Sequence, residues 1–183
     1  TGARYLADPL EIGGGRPLKT IGIPASIDND LGLTGLSIGV DTAMNTIVEA
    51  CDKIADTATA HDRTFIVEVM GRDCGYLAMT SAIAVGADLA LFPEAGKPES
   101  ETVEQIVETV LAVRARQRRA RRVIIIKAEG VNISVDRLKA AVDARLKERS
   151  PDAEPSSIET RVTVLGHVVR GGRPSAFDRL LGS

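Results

Sequence analysis

The chain has 183 residues, of which 44% are hydrophobic and 26% charged, and its net charge is −2. This composition is typical of a globular protein with a substantial core, and the near-neutral charge gives no general attraction for nucleic acid or an anionic membrane. Aromatic residues make up only 3% of the chain, which disfavours the nucleic-acid-binding modules that stack bases on aromatic rings.

Cysteine content and the absence of targeting patterns favour a cytoplasmic location. Cys51 and Cys74 are too few to form a disulfide framework. Residues 1–15 lack the basic and apolar regions of a secretory signal peptide, and no apolar run approaches the length of about 20 residues that spans a bilayer. We therefore expect no membrane partner.

Short runs of apolar, often β-branched residues alternate with longer segments of helical periodicity. Strands are predicted over Thr20–Ile23, Thr64–Met70, Ala87–Phe92, Val123–Ile126 and Val162–Leu165. Helices are predicted from Ser37 to about His61 and over Gly75–Val85, Glu101–Arg119 and Val135–Arg149. This alternation is typical of βαβ units, so we expect a three-layer α/β/α, Rossmann-like fold around a mostly parallel sheet.

Polar clusters follow every predicted strand. They are SIDND, GRD, PE, AEG and GHVVRGG, in chain order. Ligands of parallel sheets bind beyond the carboxyl ends of the strands, so the sequence predicts one site assembled from several loops.

Asp28 and Asp30, two residues apart after the first predicted strand, admit two explanations. They could form only a turn, because aspartate and asparagine bond to their own backbone there. In extended chain they would instead point the same way, and could share a cation or divide the roles of base and metal ligand. A calcium loop is excluded, because the fifth and twelfth positions counted from Asp28 are Gly32 and Gly39.

Each basic or acidic group in the later loops also has an ordinary structural explanation. Arg72 could lie in a plain strand-to-helix turn, Glu129 could be a lone exposed carboxylate, and His167 alone could be a structural histidine. Taken together with Arg170 and its glycine pair, these residues have the composition that holds phosphates and a divalent metal. Six arginines within residues 114–122 are explained best by an exposed helix end and second by an anion or effector site.

Five segments resemble the successive motifs of the 6-phosphofructokinase family. They are PASIDND, AHDR, VEVMGRDCGYLA, AEG and RVTVLGHVVRGGRPSAFDR. The family usually shows PGTIDND or GSIDND, SHQR or SHRR, EVMGR-CG, a glutamate after the fourth strand, and TRVTVLGH-QRGG. The similarity runs from about Thr20 to the end of the chain.

The resemblance implies phosphoryl transfer from ATP to the 1-hydroxyl of fructose 6-phosphate, with Mg²⁺ as cofactor. Asp28 matches the general base, Asp30 matches a carboxylate on the metal side, and Arg72 matches the arginine that faces the transferring phosphoryl group. Glu129 would hold sugar hydroxyls. The full set of substrate-binding residues implied is Ser26, Ile27, Asp28, Arg63, Met70, Gly71, Arg72, Glu129, Arg161, His167, Val168, Val169 and Arg170.

The resemblance also implies a homo-oligomer, either a dimer or a tetramer, with shared active sites. His167 and Arg170 would grip the 6-phosphate, whereas Arg63 and Arg161 match arginines that reach into the neighbouring subunit's site. Arg118 falls near an effector cation of the family. The chain has Ala55 where typical bacterial members have an effector-contacting arginine, which weakens the case for their ADP-type regulation.

Residues 1–35 are expected to end a nucleotide-binding domain, and residues 36–183 to form the domain that binds fructose 6-phosphate. The glycine-rich loop and the GGDG aspartate of the family have no counterpart here, so we expect these residues to be inactive alone. Ala25 stands where diphosphate-dependent relatives carry lysine, which favours ATP over diphosphate as donor. A non-catalytic regulatory half is disfavoured, because Asp28, Asp30 and Arg72 are all retained.

Overall fold

Four parallel strands form one sheet between two layers of helices in the computed structural model, which describes residues 19–116, 122–152 and 159–183. The strands are β1 (Thr64–Val69), β2 (Leu89–Leu91), β3 (Val123–Ala128) and β4 (Thr160–Val164). The helices are α1 (Val40–Ala60), α2 (Tyr76–Val85), α3 (Glu99–Ala115), α4 (Val135–Arg149) and α5 (Ala176–Leu181). Two short 3₁₀ helices span Pro93–Ala95 and Gly166–Arg170.

Strand β1 lies inside the sheet, in the order β2-β3-β1-β4. It pairs with β3 from Thr64↔Val123 to Val69↔Ala128, and with β4 from Thr64↔Thr160 to Glu68↔Val164. Because all pairings are parallel, the carboxyl ends of these strands meet at one edge of the sheet.

Each face of the sheet packs against its own pair of helices. Val67, Val69 and Ile126 belong to the cluster with α1 and α2, whereas Ile66 and Ile125 belong to the cluster with α3 and α4. Burial on both faces explains why β1 and β3 read as continuous apolar runs rather than alternating ones. Within the described ranges, no helix has the length and apolar character needed to cross a membrane.

The expected α/β class is confirmed, but the strand predicted over Thr20–Ile23 is wrong. Residues 20–23 are irregular, and the side chains of Ile21 and Ile23 are 93% and 65% exposed. An apolar run forms a strand only when it pairs with a neighbour, and the sheet of described residues ends at β2 and β4.

The other predicted elements are present; Val135–Arg149 has the predicted ends, and the rest are shifted at one or both ends. Strand β2 is shorter than the predicted Ala87–Phe92, although Asp88 N still donates to Ile124 O just before it begins. Helix α3 begins two residues earlier than predicted, directly after Pro98, whose fixed φ suits the position before the first turn. The predicted end of that helix at Arg119 lies outside the described residues.

An ion pair is buried between β1 and β3, near their carboxyl ends. Lys127 is fully buried, and its Nζ donates to Glu68 Oε2 at 2.7 Å and to Ala128 O at 3.1 Å. The side chain of Glu68 is 18% exposed, whereas that of Lys127 is 1% exposed. Only the carboxylate therefore has a route to water.

This asymmetry predicts that Glu68→Gln is more destabilising than Lys127→Met. The first change leaves an unpaired charge buried, at a cost of about 3–5 kcal/mol, whereas the second leaves a carboxylate that water can reach. Urea unfolding of both variants and the double variant tests this order. A larger loss for Lys127→Met would contradict it.

Candidate functional site

The segment at residues 24–38, here called the aspartate loop, is organised by Asn29 and two serines. Asn29 lies at φ 54°, a conformation that asparagine tolerates better than most residues, and its N–H donates to Ser26 O. Its side chain donates to Gly35 O at 3.2 Å and accepts from Ser37 N at 3.0 Å. Ser37 Oγ accepts from Ser26 N at 2.7 Å. These bonds fix the turn that carries both predicted aspartates.

Within this loop, Asp28 and Asp30 have different environments. Asp28 is half-buried, and its Oδ1 is a buried oxygen that accepts no hydrogen bond from any described residue. Burial raises the pKa of Asp28, and the charges of Asp30 and Glu129 raise it further, while Arg170 and Arg72 partly oppose them. Asp30 is exposed and accepts from Ser26 Oγ at 2.7 Å.

The carboxyl ends of β1 and β3 are joined through two glycines. Gly71 lies at φ 123°, and a Cβ there would come within 2.4 Å of Cys74 O. Gly130 donates to Gly71 O at 3.0 Å, and a Cβ on Gly130 would lie 1.7 Å from Arg72 O. Only glycine fits at either position, and the close approach sets the exposed side chains of Arg72 and Glu129 on neighbouring strand ends.

Strand β4 contributes the Gly166–Arg170 turn to the same edge. Leu165 N donates to Glu68 O at 3.0 Å, and Arg170 Nε contacts Met70 Sδ at 3.2 Å. His167 is exposed at the surface of this turn. Arg72, Glu129 and Arg170 are therefore close enough to influence the carboxyl group of Asp28.

The predicted substrate-binding residues Ile27, Val168 and Val169 differ in their exposure. Ile27 packs against the core cluster, Val168 is 70% exposed, and Val169 is 1% exposed within the core. The side chain of Val169 consequently faces away from any ligand, and only its backbone could contact one.

Arg63 and Arg161 lie at the opposite edge of the sheet. Arg63 directly precedes β1, and Arg161 is the second residue of β4, in register with Phe65. Arg63 is therefore separated from the carboxyl edge by a strand of six residues, about 20 Å long, and Arg161 by the three remaining residues of β4, about 10 Å. Arg161 Nη1 pairs with Glu159 Oε1 at 2.5 Å.

The remaining predictions concern a metal and an effector. In residues 19–116, 122–152 and 159–183, no group of three or more histidine, cysteine or acidic side chains could hold a metal ion. Asp30 could still supply one oxygen ligand, which fits Mg²⁺, because that ion often takes one or two carboxylates and completes its shell with phosphates and water. Arg118 lies outside the described residues.

Sequence reasoning missed two contributors to this site, Asn29 and Gly130. Asn29 lies between the two predicted aspartates. Because asparagine side chains are typical of turns, its position in the sequence could have indicated that it organises this one. Gly130 was quoted within AEG, but the contact of a Cβ with a neighbouring strand end is visible only in three dimensions.

Comparison with known proteins identifies the family. The family model described as Phosphofructokinase matches residues 1–183, and the chain belongs to this family. The ATP-dependent 6-phosphofructokinase of Natranaerobius thermophilus is 46% identical over 166 residues, covering 91% of the chain and 47% of that protein. The enzyme of the same name from Brevibacillus brevis is 47% identical over 165 residues, covering 90% and 46%. The chain thus spans about half the length of these curated relatives.

Solved structures agree with this family. Phosphofructokinase from Saccharomyces cerevisiae matches with a TM-score of 0.78 and 36% identity, over 94% of the chain and 22% of that protein. A pyrophosphate-dependent phosphofructokinase from Marinobacter aquaeolei matches with a TM-score of 0.72 over 96% of the chain and 44% of its own. Its 22% identity supports the fold alone.

The charges around Asp28 predict how its titration responds to substitution. The pKa of Asp28 should lie above the ordinary value of 3.8, rise further in Arg170→Ala and fall in Glu129→Gln, because the first change removes an opposite charge and the second a like charge. Carbon-13 NMR titration of the aspartate carboxyls measures these shifts. Glu108→Gln, on the outward side of α3, is the matched control and should leave the pKa unchanged. An equal shift of the Asp28 pKa in the control would contradict the conclusion that Arg170 and Glu129 act on Asp28 because they lie close to it.

Proposed function

We propose that the chain forms the sugar-phosphate-binding half of an ATP-dependent 6-phosphofructokinase. The reaction transfers the γ-phosphoryl group of ATP to the 1-hydroxyl of fructose 6-phosphate and yields fructose 1,6-bisphosphate. The observation that carries the proposal is the buried, unbonded Asp28 Oδ1 beside Arg72, Glu129 and Arg170. The proposal includes a boundary near residue 35 between nucleotide-binding and sugar-phosphate-binding domains, and a cytoplasmic location.

Asp28 acts as the general base in this proposal. Its Oδ1 is buried and accepts no hydrogen bond from a described residue, but the carboxyl as a whole is only half-buried, so its other oxygen can meet the sugar hydroxyl. Burial and the like charges of Asp30 and Glu129 raise its pKa, which makes the carboxylate a stronger proton acceptor than an exposed aspartate. Asp28 takes the proton of the 1-hydroxyl while the oxygen attacks the γ-phosphorus. The bond from that phosphorus to the β,γ-bridging oxygen of ATP breaks, and ADP leaves.

Charge that develops on the transferring phosphoryl group requires nearby cations. Arg72 is exposed at the end of β1, on a backbone held by the Gly71–Gly130 contact, and its guanidinium can face the equatorial oxygens. Mg²⁺, when bound, would neutralise part of the charge of the phosphates. Asp30 would hold the metal side of the site, with its carboxylate oriented by Ser26 Oγ.

The sugar phosphate is held from the β3 and β4 ends of the sheet. Arg170 has a fixed position against Met70 and presents its planar donor groups to the 6-phosphate, together with His167. Glu129 accepts hydrogen bonds from sugar hydroxyls. These contacts orient the 1-hydroxyl toward Asp28, and positioning of this kind supplies a large part of the catalysis.

Two other functions fit less well. A diphosphate donor would need more cationic charge than the loop beginning at Ala25 offers, and the curated relatives at 44–47% identity are named ATP-dependent. A non-catalytic half would have no use for the destabilising Asp28 Oδ1, which is buried and accepts no hydrogen bond from a described residue.

A complete site requires a second copy of the chain. Arg63 and Arg161 lie at the sheet edge opposite Arg170, and the resemblance assigns both to the neighbouring subunit's phosphate. We therefore include a homo-oligomer, a dimer or a tetramer, in the proposal.

In the full-length protein, Asp28→Ser should lower kcat by orders of magnitude with little change in the KM for fructose 6-phosphate, because Asp28 acts on the reacting hydroxyl. Arg170→Ala should mainly raise that KM, since a charge-assisted phosphate contact contributes about 1.5–3 kcal/mol to binding. A coupled assay with ATP and magnesium measures both. Near-normal turnover of Asp28→Ser would refute the assignment of Asp28 as the general base.

Mixed oligomers test whether Arg161 serves the neighbouring site. Co-refolded Asp28→Ser and Arg161→Ala subunits should regain activity, because a subunit with intact Asp28 then receives an intact Arg161 from its partner. Asp28→Ser mixed with Arg170→Ala is the control and should gain no activity beyond that of Arg170→Ala alone, since both residues serve the same chain's site. Equal activity of the two mixtures would contradict the shared site.

A further inference from the structure

We infer that Asp178 is a positioning residue that holds the aspartate loop and the Arg170 turn at a fixed separation. The catalytic part of this inference rests on the function proposed above. Asp178 lies on the short helix α5 and is 6% exposed, and its carboxylate accepts hydrogen bonds from the amino end of α1.

Asp178 caps α1 across a gap of more than a hundred residues in sequence. The first residue outside that helix, Gly39, provides no side-chain cap and lies at φ 98°. Asp178 Oδ1 accepts from Gly39 N at 2.7 Å, and Oδ2 accepts from Thr42 N at 2.8 Å and Thr42 Oγ1 at 2.5 Å. A carboxylate at this position satisfies free N–H groups and favours the positive end of the helix dipole.

The capped end of α1 is continuous with the aspartate loop. Ser37, which is 1% exposed, lies two residues before Gly39 and accepts from Ser26 N. Ile38 N donates to Pro24 O at 3.1 Å, at the start of the same loop. The chain before the loop is exposed at residues 19–23, so the anchored side of the loop is the side that leads into α1.

A second set of bonds connects Asp178 to the chain that follows Arg170. Asp178 N donates to Ser175 Oγ at 3.2 Å, and Ser175 N donates to Thr42 Oγ1 at 3.0 Å. Thr42 therefore bonds both to Asp178 in α5 and to Ser175, the residue that caps this helix. Ser175 is five residues after Arg170. The same carboxylate thus joins the chain after the proposed base to the chain after the proposed phosphate ligand.

The carboxylate of Asp178 is held in its charged form. Burial raises its pKa, but hydrogen bonds from Thr42, Gly39 and Ser175 outweigh burial and leave the pKa below the ordinary value. An amide would not replace it, since one of its two ends would turn an N–H donor toward the donors of Gly39 or Thr42.

The two linked segments do not depend on Asp178 equally. Arg170 keeps independent contacts, with Met70 Sδ and through the Leu165–Glu68 bond. The aspartate loop relies on its connection to α1. Loss of Asp178 should therefore displace Asp28 from the sugar hydroxyl while the phosphate remains bound.

In the full-length protein, Asp178→Asn should lower kcat at least about tenfold and change the KM for fructose 6-phosphate less than about twofold. Thr42→Val, which removes the shared hydroxyl, should act in the same direction, and Thr42→Ser should restore kcat. Asp88→Asn is the matched control. Asp88 Oδ2 also accepts a backbone N–H from another element, Ile124 at 3.0 Å, but at the amino end of the sheet.

Hydrogen exchange measured by mass spectrometry supplies a readout that does not require activity. Asp178→Asn and Thr42→Val should accelerate amide exchange over residues 26–42, whereas Asp88→Asn should not. Unchanged exchange there, or a raised KM with normal kcat, would overturn the inference, as would an equal kcat loss in Asp88→Asn. A wild-type protein without kinase activity would refute the proposed function and leave the exchange comparison as the test of Asp178.

Discussion

The parallel pairing of β1 with a strand on each side is the constraint on which the site depends. Its register with β3 and β4 brings the Gly71–Arg72 turn, Glu129 and the Gly166–Arg170 turn to one edge. These residues are separated by up to about a hundred positions in the chain. A register shift of β1 by one residue would turn each of its side chains from one helix layer to the other. The buried pairs Val67↔Ile126 and Val69↔Ala128 hold that register by packing beneath α1 and α2.

The same edge concentrates features that are costly for folding. Asp28 keeps a buried oxygen without a donor among the described residues, and Gly71 and Gly130 hold backbone segments too close for any side chain. Such features persist when the surrounding structure supports them, and they cluster at functional sites. That support comes from three features, which are the Asn29 turn, the Lys127–Glu68 pair and the Asp178 cap.

Local patterns were sufficient for the fold class and for most of the candidate site. Apolar runs such as TFIVEV and VIII identified β1 and β3, and the polar clusters after them identified the edge. The prediction of a strand over Thr20–Ile23 is wrong because an apolar run does not specify its pairing partner. Lys127 and Asp178 were not singled out, because a buried lysine inside a strand and a long-range cap have no local pattern. Their partners, Glu68 and Gly39, are distant in sequence and become neighbours only on folding.

The central claim is that Asp28 faces the reacting hydroxyl while Arg170 holds the phosphate. The most direct measurement is a crystal structure of the full-length protein with fructose 6-phosphate. We expect the 6-phosphate to be bound by His167 and Arg170. The 1-hydroxyl oxygen should lie about 2.6–3.2 Å from an Asp28 carboxylate oxygen. A sugar bound in the reverse direction, or a 1-hydroxyl beside Glu129 and out of reach of Asp28, would contradict it.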